Sequence, residues 1–180
     1  VSDTQTVMPG LIVHFGKVAR GRVALGHTID ALVDAVRRED TARNRTATHM
    51  LHAALRQVLG PHVRQAGSLV APDRLRFDFS HVEPVSAEDL EQVQWLVNEK
   101  VRQNVGVHKS EDTYASAIGR GALAFFGDKY DESVRLVEIA NGAAFSFEVC
   151  GGTHVALTGE LGAVYILGES SIGSGLRRIE

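Results

Sequence analysis

The chain has 180 residues, 44% of them hydrophobic, enough for one good core or a core with a small satellite. A formal net charge of −3 excludes a surface coated in positive potential, so a nucleic-acid partner would be met only locally, at clusters such as Arg37-Arg38, Arg43 with Arg45, Arg74 with Arg76 or Arg177-Arg178. No run approaches the roughly 18 apolar residues that span a bilayer, no signal-peptide pattern leads the chain, and the single cysteine cannot close an internal disulfide, so a cytoplasmic location without a membrane partner is expected.

Residues 7 to 34 hold the short apolar stretches Leu11-Ile12-Val13 and Val23-Ala24-Leu25 between glycines at 10, 16, 21 and 26. Short apolar strands with Gly-bearing turns predict a small β-rich, barrel-like subdomain over residues 1–38. The second domain, 39–180, opens with a helical period from Asp40, a plausible N-cap, to Leu59, with Gly60-Pro61 as its stop. Ala47, Leu51, Ala54, Leu55 and Val58 fall on one face.

Gly67-Ser68-Leu69-Val70 and Leu75-Arg76-Phe77-Asp78-Phe79 read as a hairpin turning at Pro72-Asp73. Ser86 with Asp89 resembles a capping box before a second helix, in which Leu90, Val93, Val97 and Val101 keep helical spacing up to Gly106. A short helix is expected within residues 113 to 126. Val134 to Ile139 and Ala144 to Val149 flank Asn141-Gly142, the strongest hairpin signal in the chain. Two more strands, Gly162 to Glu169 and Leu176 to Glu180, are expected around the loop 170–175. The last segment reads as a strand cut short and Val1 is not a methionine, so a piece of something longer is expected. The fold class is α+β: the barrel-like subdomain, then a two-layer domain with an antiparallel sheet and long helices.

On a helix, positions 45, 49, 52 and 56 return to nearly the same azimuth, so Arg45, His49, His52 and Arg56 form one stripe, expected at the edge of the buried side. The hairpin delivers Cys150 into Gly151-Gly152, with His154 four residues after the cysteine. Thiolate and imidazole are ligands that zinc prefers, and metal ligands commonly arrive as short pairs from separate elements, so one metal site made from the two segments is expected. Two glycines there leave backbone amides uncovered, and Gly151 and Gly152 are candidates for oxyanion or substrate contacts. Arg177 and Arg178, beside a glycine loop, are candidate phosphate contacts, with a solvated strand end as the alternative. His14, His27, His62, His81 and His108 lie outside any paired spacing.

The segments Asn44 to Arg56, Leu75 to His81, Phe126-Gly127-Asp128-Lys129-Tyr130, Cys150-Gly151-Gly152-Thr153-His154-Val155 and Gly175 to Glu180 together resemble the editing domain of alanyl-tRNA synthetase. The likeness runs over essentially the whole chain, the leading residues resembling the small barrel before that domain. It implies a deacylase that hydrolyses seryl or glycyl esters of tRNA(Ala), with the remainder of the synthetase chain as a further partner. The family pattern on the helix is His-x-x-x-His, and Arg45 stands at its first position; arginine is cationic and is not a zinc ligand. The matched ligands are His49, Cys150 and His154, and zinc is the implied cofactor.

Three resolutions stand open: three protein ligands and a water, His52 in place of the missing histidine, or a metal-free site in which Arg45 pairs with a deprotonated Cys150. The resemblance also implies that Thr48 and Gln65 line the amino-acid pocket. For Thr48 the alternative is a back-bond to its own helix, and for Gln65 a surface role. The competing reading of function is a tRNA-binding module with a structural or absent metal and editing weakened by Arg45.

Overall fold

The computed structural model describes residues 1–8, 10–125 and 131–180. The chain forms two compact units, Val1–Val33 and Asp34–Glu180, against a boundary after residue 38 read from the sequence. In the first, β1 (Asp3–Met8) and β2 (Leu11–Phe15) pair antiparallel, with Asp3 facing Phe15 and Met8 facing Leu11. Val23-Ala24-Leu25 is not a strand, and among the described residues this unit holds no closed barrel. The barrel-like expectation is corrected to a hairpin, since two strands cannot satisfy each other's outer edges by closure.

The second unit is organised on α1 (Ala35–Leu59), which starts five residues before the expected Asp40. Asp34 is its N-cap, accepting the N–H of Arg37 at 3.0 Å, while Asp40 pairs with Arg43. The apolar period misses this first stretch because Val36 is exposed and burial begins only at Ala42. At the other end Gly60, with φ +117°, donates to the Arg56 carbonyl, and Arg56 Nη1 donates to the carbonyls of Pro61 and Val63. Residues 46–55 are buried on every side of α1, so the histidine stripe lies inside the protein and not at the edge of the buried side.

After α1 come β3 (Gln65–Val70) and β4 (Leu75–Ser80), the expected hairpin, with Ala71 N–H bonded to the Arg74 carbonyl across the turn. Helix α2 (Ala87–Arg102) is capped by Ser86, whose Oγ accepts from Asp89 N–H at 3.0 Å. Then follow β5 (Gly106–Thr113) and α3 (Tyr114–Gly119), capped by Thr113. Within the range 113–126 the helix ends at Gly119 and residues 120–125 form none, while the segment Phe126–Tyr130 lies outside the described residues. Next are β6 (Ser133–Asn141) and β7 (Ala143–Val149), joined at Gly142 with φ +85°, and finally β8 (Glu169–Gly173) and β9 (Leu176–Ile179).

The sheets are antiparallel, ordered β3-β4-β9-β8 and β5-β6-β7. Residues 162–168 are not the expected strand. Their backbone is held by α2 side chains: Asn98 brackets Val164 at both N–H and C=O, and Gln94 Oε1 accepts from Ile166 N–H.

Helix α1 packs on β3, β4, β7 and α2. Met50, Leu51 and Leu55 meet Phe77 and Phe79 of β4, Val93 and Val97 of α2, and Val137 and Ile139 of β6 in one core. Phe77 is fully buried. Phe77→Ala is therefore expected to lower unfolding free energy by about 3–5 kcal/mol, from lost transfer energy and the cavity left behind. Urea denaturation measures this, and a loss below about 1 kcal/mol would show the site able to collapse around the gap.

Candidate functional site

Helix α1 and the end of β7 meet at one buried cluster. Along β7 the side chains alternate, so Ser146, Glu148 and then Cys150 fall on the buried side facing α1. The donor atoms of His49, Cys150 and His154 all lie within 4.8 Å of one another. Cys150 Sγ is 3.3 Å from His154 Nε2, and His154 Nδ1 is 3.1 Å from the Thr46 hydroxyl. His49 Nδ1 lies 2.7 Å from Glu148 Oε2, an ion-pair contact off the line of a hydrogen bond. Glu148 Oε1 takes His52 Nδ1 at 2.8 Å.

These contacts decide what the cluster can hold. Each imidazole turns Nδ1 to a protein partner, Glu148 for His49 and Thr46 for His154, and His154 keeps Nε2 for the thiol, the arrangement that orients metal-ligating histidines. Tetrahedral zinc with bonds of roughly 2.0–2.3 Å sets its donors about 3.3–3.8 Å apart. The sulfur–imidazole edge of 3.3 Å meets that, and the widest separation would close by about 1 Å. The set could hold a metal with three protein ligands and an open fourth position. His52 stays outside it, bonded to Glu148 with its ring against Phe77 and Phe125.

Arg45, one turn before His49, reaches the same place. Its stem packs on Gly152 so closely that a Cβ there would stand 2.6 Å from Nε and 3.0 Å from Cγ. Its Nε is buried without an acceptor among the described residues, a condition that costs about 1–3 kcal/mol.

The charges follow from burial and neighbours. Burial would lower the His49 pKa, but the Glu148 carboxylate and the Cys150 sulfur together push it up to about 9. Burial would raise Glu148, yet His49 and His52 bring it down to about 2. Cys150 is likewise raised by burial and then pulled down to about 4 by His154, His49 and the charge of Arg45. His154 is lowered, chiefly by burial. The metal-free cluster thus holds a thiolate and a carboxylate beside a protonated His49.

The loop after Cys150 is held from behind by Arg135 of β6. Its Nε donates to the Cys150 carbonyl at 3.1 Å and its Nη2 to the Gly152 carbonyl. Of the two amides expected to be uncovered, Gly152 N–H donates to Cys150 Sγ at 3.3 Å, while Gly151 N–H has no partner among the described residues. Thr48 back-bonds to the Asn44 carbonyl at 2.8 Å, and Gln65 donates to Ser68 Oγ at 3.0 Å; neither is bonded to the cluster. Arg177 and Arg178 each make two bonds to a carboxylate, Arg177 to Glu169 and Arg178 to Asp78. His62 and His81, unpaired in sequence, share a 2.9 Å hydrogen bond near the surface.

Three residues that shape the site are absent from the sequence reading: Thr46, Glu148 and Arg135. Thr46 could have been found three positions before His49 on the stripe, and Glu148 two before Cys150 on one strand face. Arg135 has no local signal, because only the pairing of β6 with β7 brings it there. Thr46 is fully buried, accepts from Val155 N–H and contacts His154. Thr46→Val is expected to cost about 1–3 kcal/mol in unfolding free energy by stranding these groups. It should also weaken metal binding about 10–100-fold, as loss of an orienting partner does, and chelator competition would read this.

Residues 134–180 match the family described as threonyl and alanyl tRNA synthetase second additional domain. The alanine–tRNA ligase of Chloroflexus aurantiacus is 52% identical over 189 residues, covering 100% of this chain and 21% of that protein. The ligase of a Thermoanaerobacter species is 51% identical over 168 residues, 93% of this chain and 19% of the relative. That of Acidithiobacillus ferridurans is 50% identical over 180 residues, 100% of this chain and 20% of the relative. The chain thus spans about a fifth of the length of these relatives.

Proposed function

Because the chain belongs to the alanine–tRNA ligase family, we propose that it is the editing part of such a ligase, hydrolysing the ester of tRNA(Ala) wrongly charged with serine or glycine. The observation that carries this reading is the convergence of His49, Cys150 and His154 on one buried point, from segments about a hundred residues apart. Glycine and serine differ from alanine by so little that an activating pocket rejects them by only a few kcal/mol, which makes a second, hydrolytic site useful.

Zinc is the ion this donor set fits, and when bound it would lower the pKa of a water or orient the substrate's amino group. The chain's own residues prepare the place. Glu148 and Thr46 fix the two imidazoles, and Arg135 holds the loop carbonyls while Gly151 keeps a free N–H for a developing oxyanion. A pocket of about 510 Å³ beside His154, lined among others by Arg38, Lys109 and Thr153, favours entry of the acceptor end from that side.

Thr48 spends its proton on Asn44 but can still accept a hydrogen bond, and with Gln65 it is assigned to the serine hydroxyl. Arg177 and Arg178 would share their carboxylate partners with phosphate, so their contribution to tRNA binding is expected to be small beside that of the rest of the ligase.

The test follows serine released from Ser-tRNA(Ala), with Ala-tRNA(Ala) as control and with and without a chelator. Selective release well above spontaneous hydrolysis is expected. Release at the spontaneous rate, with tRNA still retained on a filter, would replace the hydrolase by a tRNA-binding module, the second reading that a cation at position 45 favours.

A further inference from the structure

The position and environment of Arg45 are not explained by metal binding. Among the described residues it has no carboxylate partner, its buried Nε has no acceptor, and its charge acts on both Cys150 and His154. Its stem is seated on Gly152, where any Cβ would displace it, next to the free N–H of Gly151. A rigid helix therefore presents a cationic side chain whose Nε has no acceptor, beside a loop whose Gly151 N–H also has none among the described residues. Two donors with unused N–H groups suit an oxygen that gains its charge only during reaction.

We propose that Arg45 is a catalytic residue, its guanidinium and the Gly151 N–H together receiving the carbonyl oxygen of the aminoacyl ester and stabilising the oxyanion formed when water adds. This rests on the hydrolase reading above. In the step, the water oxygen bonds to the carbonyl carbon and gives a proton to solvent, while the C=O π pair moves to the oxygen held by Arg45. Collapse restores the carbonyl and breaks the bond to the ribose oxygen, which takes a proton from solvent. One water is consumed, and a free amino acid and a ribose hydroxyl result.

The experiment uses the full chain and two non-cleavable probes on a tRNA(Ala) acceptor hairpin: a neutral 3′-amide of serine and a phosphonate that carries a tetrahedral anion. Arg45→Met is expected to lose about a hundredfold in affinity for the phosphonate, the scale on which removal of one oxyanion donor acts, and less than about threefold for the amide. Arg45→Lys should recover part of the loss, with metal content unchanged in both variants. Equal loss for both probes, or no loss for either, in a wild-type protein that binds both and deacylates Ser-tRNA(Ala), overturns the role of Arg45 alone. A wild-type protein that neither deacylates nor prefers the phosphonate overturns the hydrolase reading and this inference with it.

Discussion

Glu148→Gln is expected to lower the unfolding free energy of metal-free protein by about 3–5 kcal/mol at neutral pH, the cost of removing one partner from a buried charge pair. Glu148 is buried and is the only carboxylate among the described residues that meets His49 and His52. Glutamine keeps the shape but turns an N–H toward one imidazole N–H and leaves a protonated His49 buried without a counter-charge. The folded pKa of Glu148, about 2, lies below its ordinary 4.5, so its contribution is complete above pH 4.5 and is lost as pH falls toward 2. His49, raised from 6.5 to about 9, contributes fully below pH 6.5 and loses that contribution as pH rises through 9. Urea midpoints of chelated wild-type protein should therefore be highest between the two limbs, and the variant should lose the acid limb. A variant with the same acid sensitivity as wild type would show that Glu148 is not the titrating partner.

Where local chemistry decides the structure, the sequence is legible. Asn141-Gly142 sets the β6–β7 turn, Ser86 caps α2, and Gly60 ends α1, each through groups within a few residues. The strand β5 is missed because most of its side chains are polar and exposed, and its assignment comes from its pairing with β6. The stretch 162–168 is overread for the opposite reason. Its apolar alternation is genuine, with Val164 and Ile166 turned inward, but the hydrogen bonds at those two residues come from Asn98 and Gln94, and only Leu167 and Gly168 bond to the backbone of Glu180 beyond β9.

At the site, residue types with metal chemistry are visible in one dimension and their supports are not. Cys150 with His154 and a stripe holding both His49 and His52 show by kind and spacing, and the family resemblance is what selects His49 from that stripe. A buried glutamate or threonine gains its meaning only from what it faces, and Glu148 faces α1 because β7 packs there. A helix with one buried face would hold the stripe at the boundary of the core. The middle of α1 is enclosed all round, which is why His49 needs a buried counter-charge and His52 a buried hydrogen-bond partner.

Cys150→Ala should have the largest effect on metal content and activity. The cysteine is the only sulfur donor in the cluster, and losing it leaves two imidazoles, too few to hold an ion against competing water. Metal bound per chain after dialysis should fall to near zero, and affinity by more than the roughly hundredfold lost with an orienting partner. On the proposed deacylase function, release of serine from Ser-tRNA(Ala) should fall with it. The fold should survive: alanine fits where the thiol sat, and α1 stays anchored by Met50, Leu51 and Leu55 in the main core. Stability of the metal-free variant reflects two opposed changes, the loss of a thiolate that balances His49 and Arg45 and the relief of burying that thiolate's charge. Elemental analysis together with circular dichroism separates the outcomes. A folded Cys150→Ala chain that keeps stoichiometric metal would move the metal centre away from His49 and His154 altogether, and one that loses metal but still releases serine at the wild-type rate would leave the hydrolysis to Arg45 and the Gly151 amide.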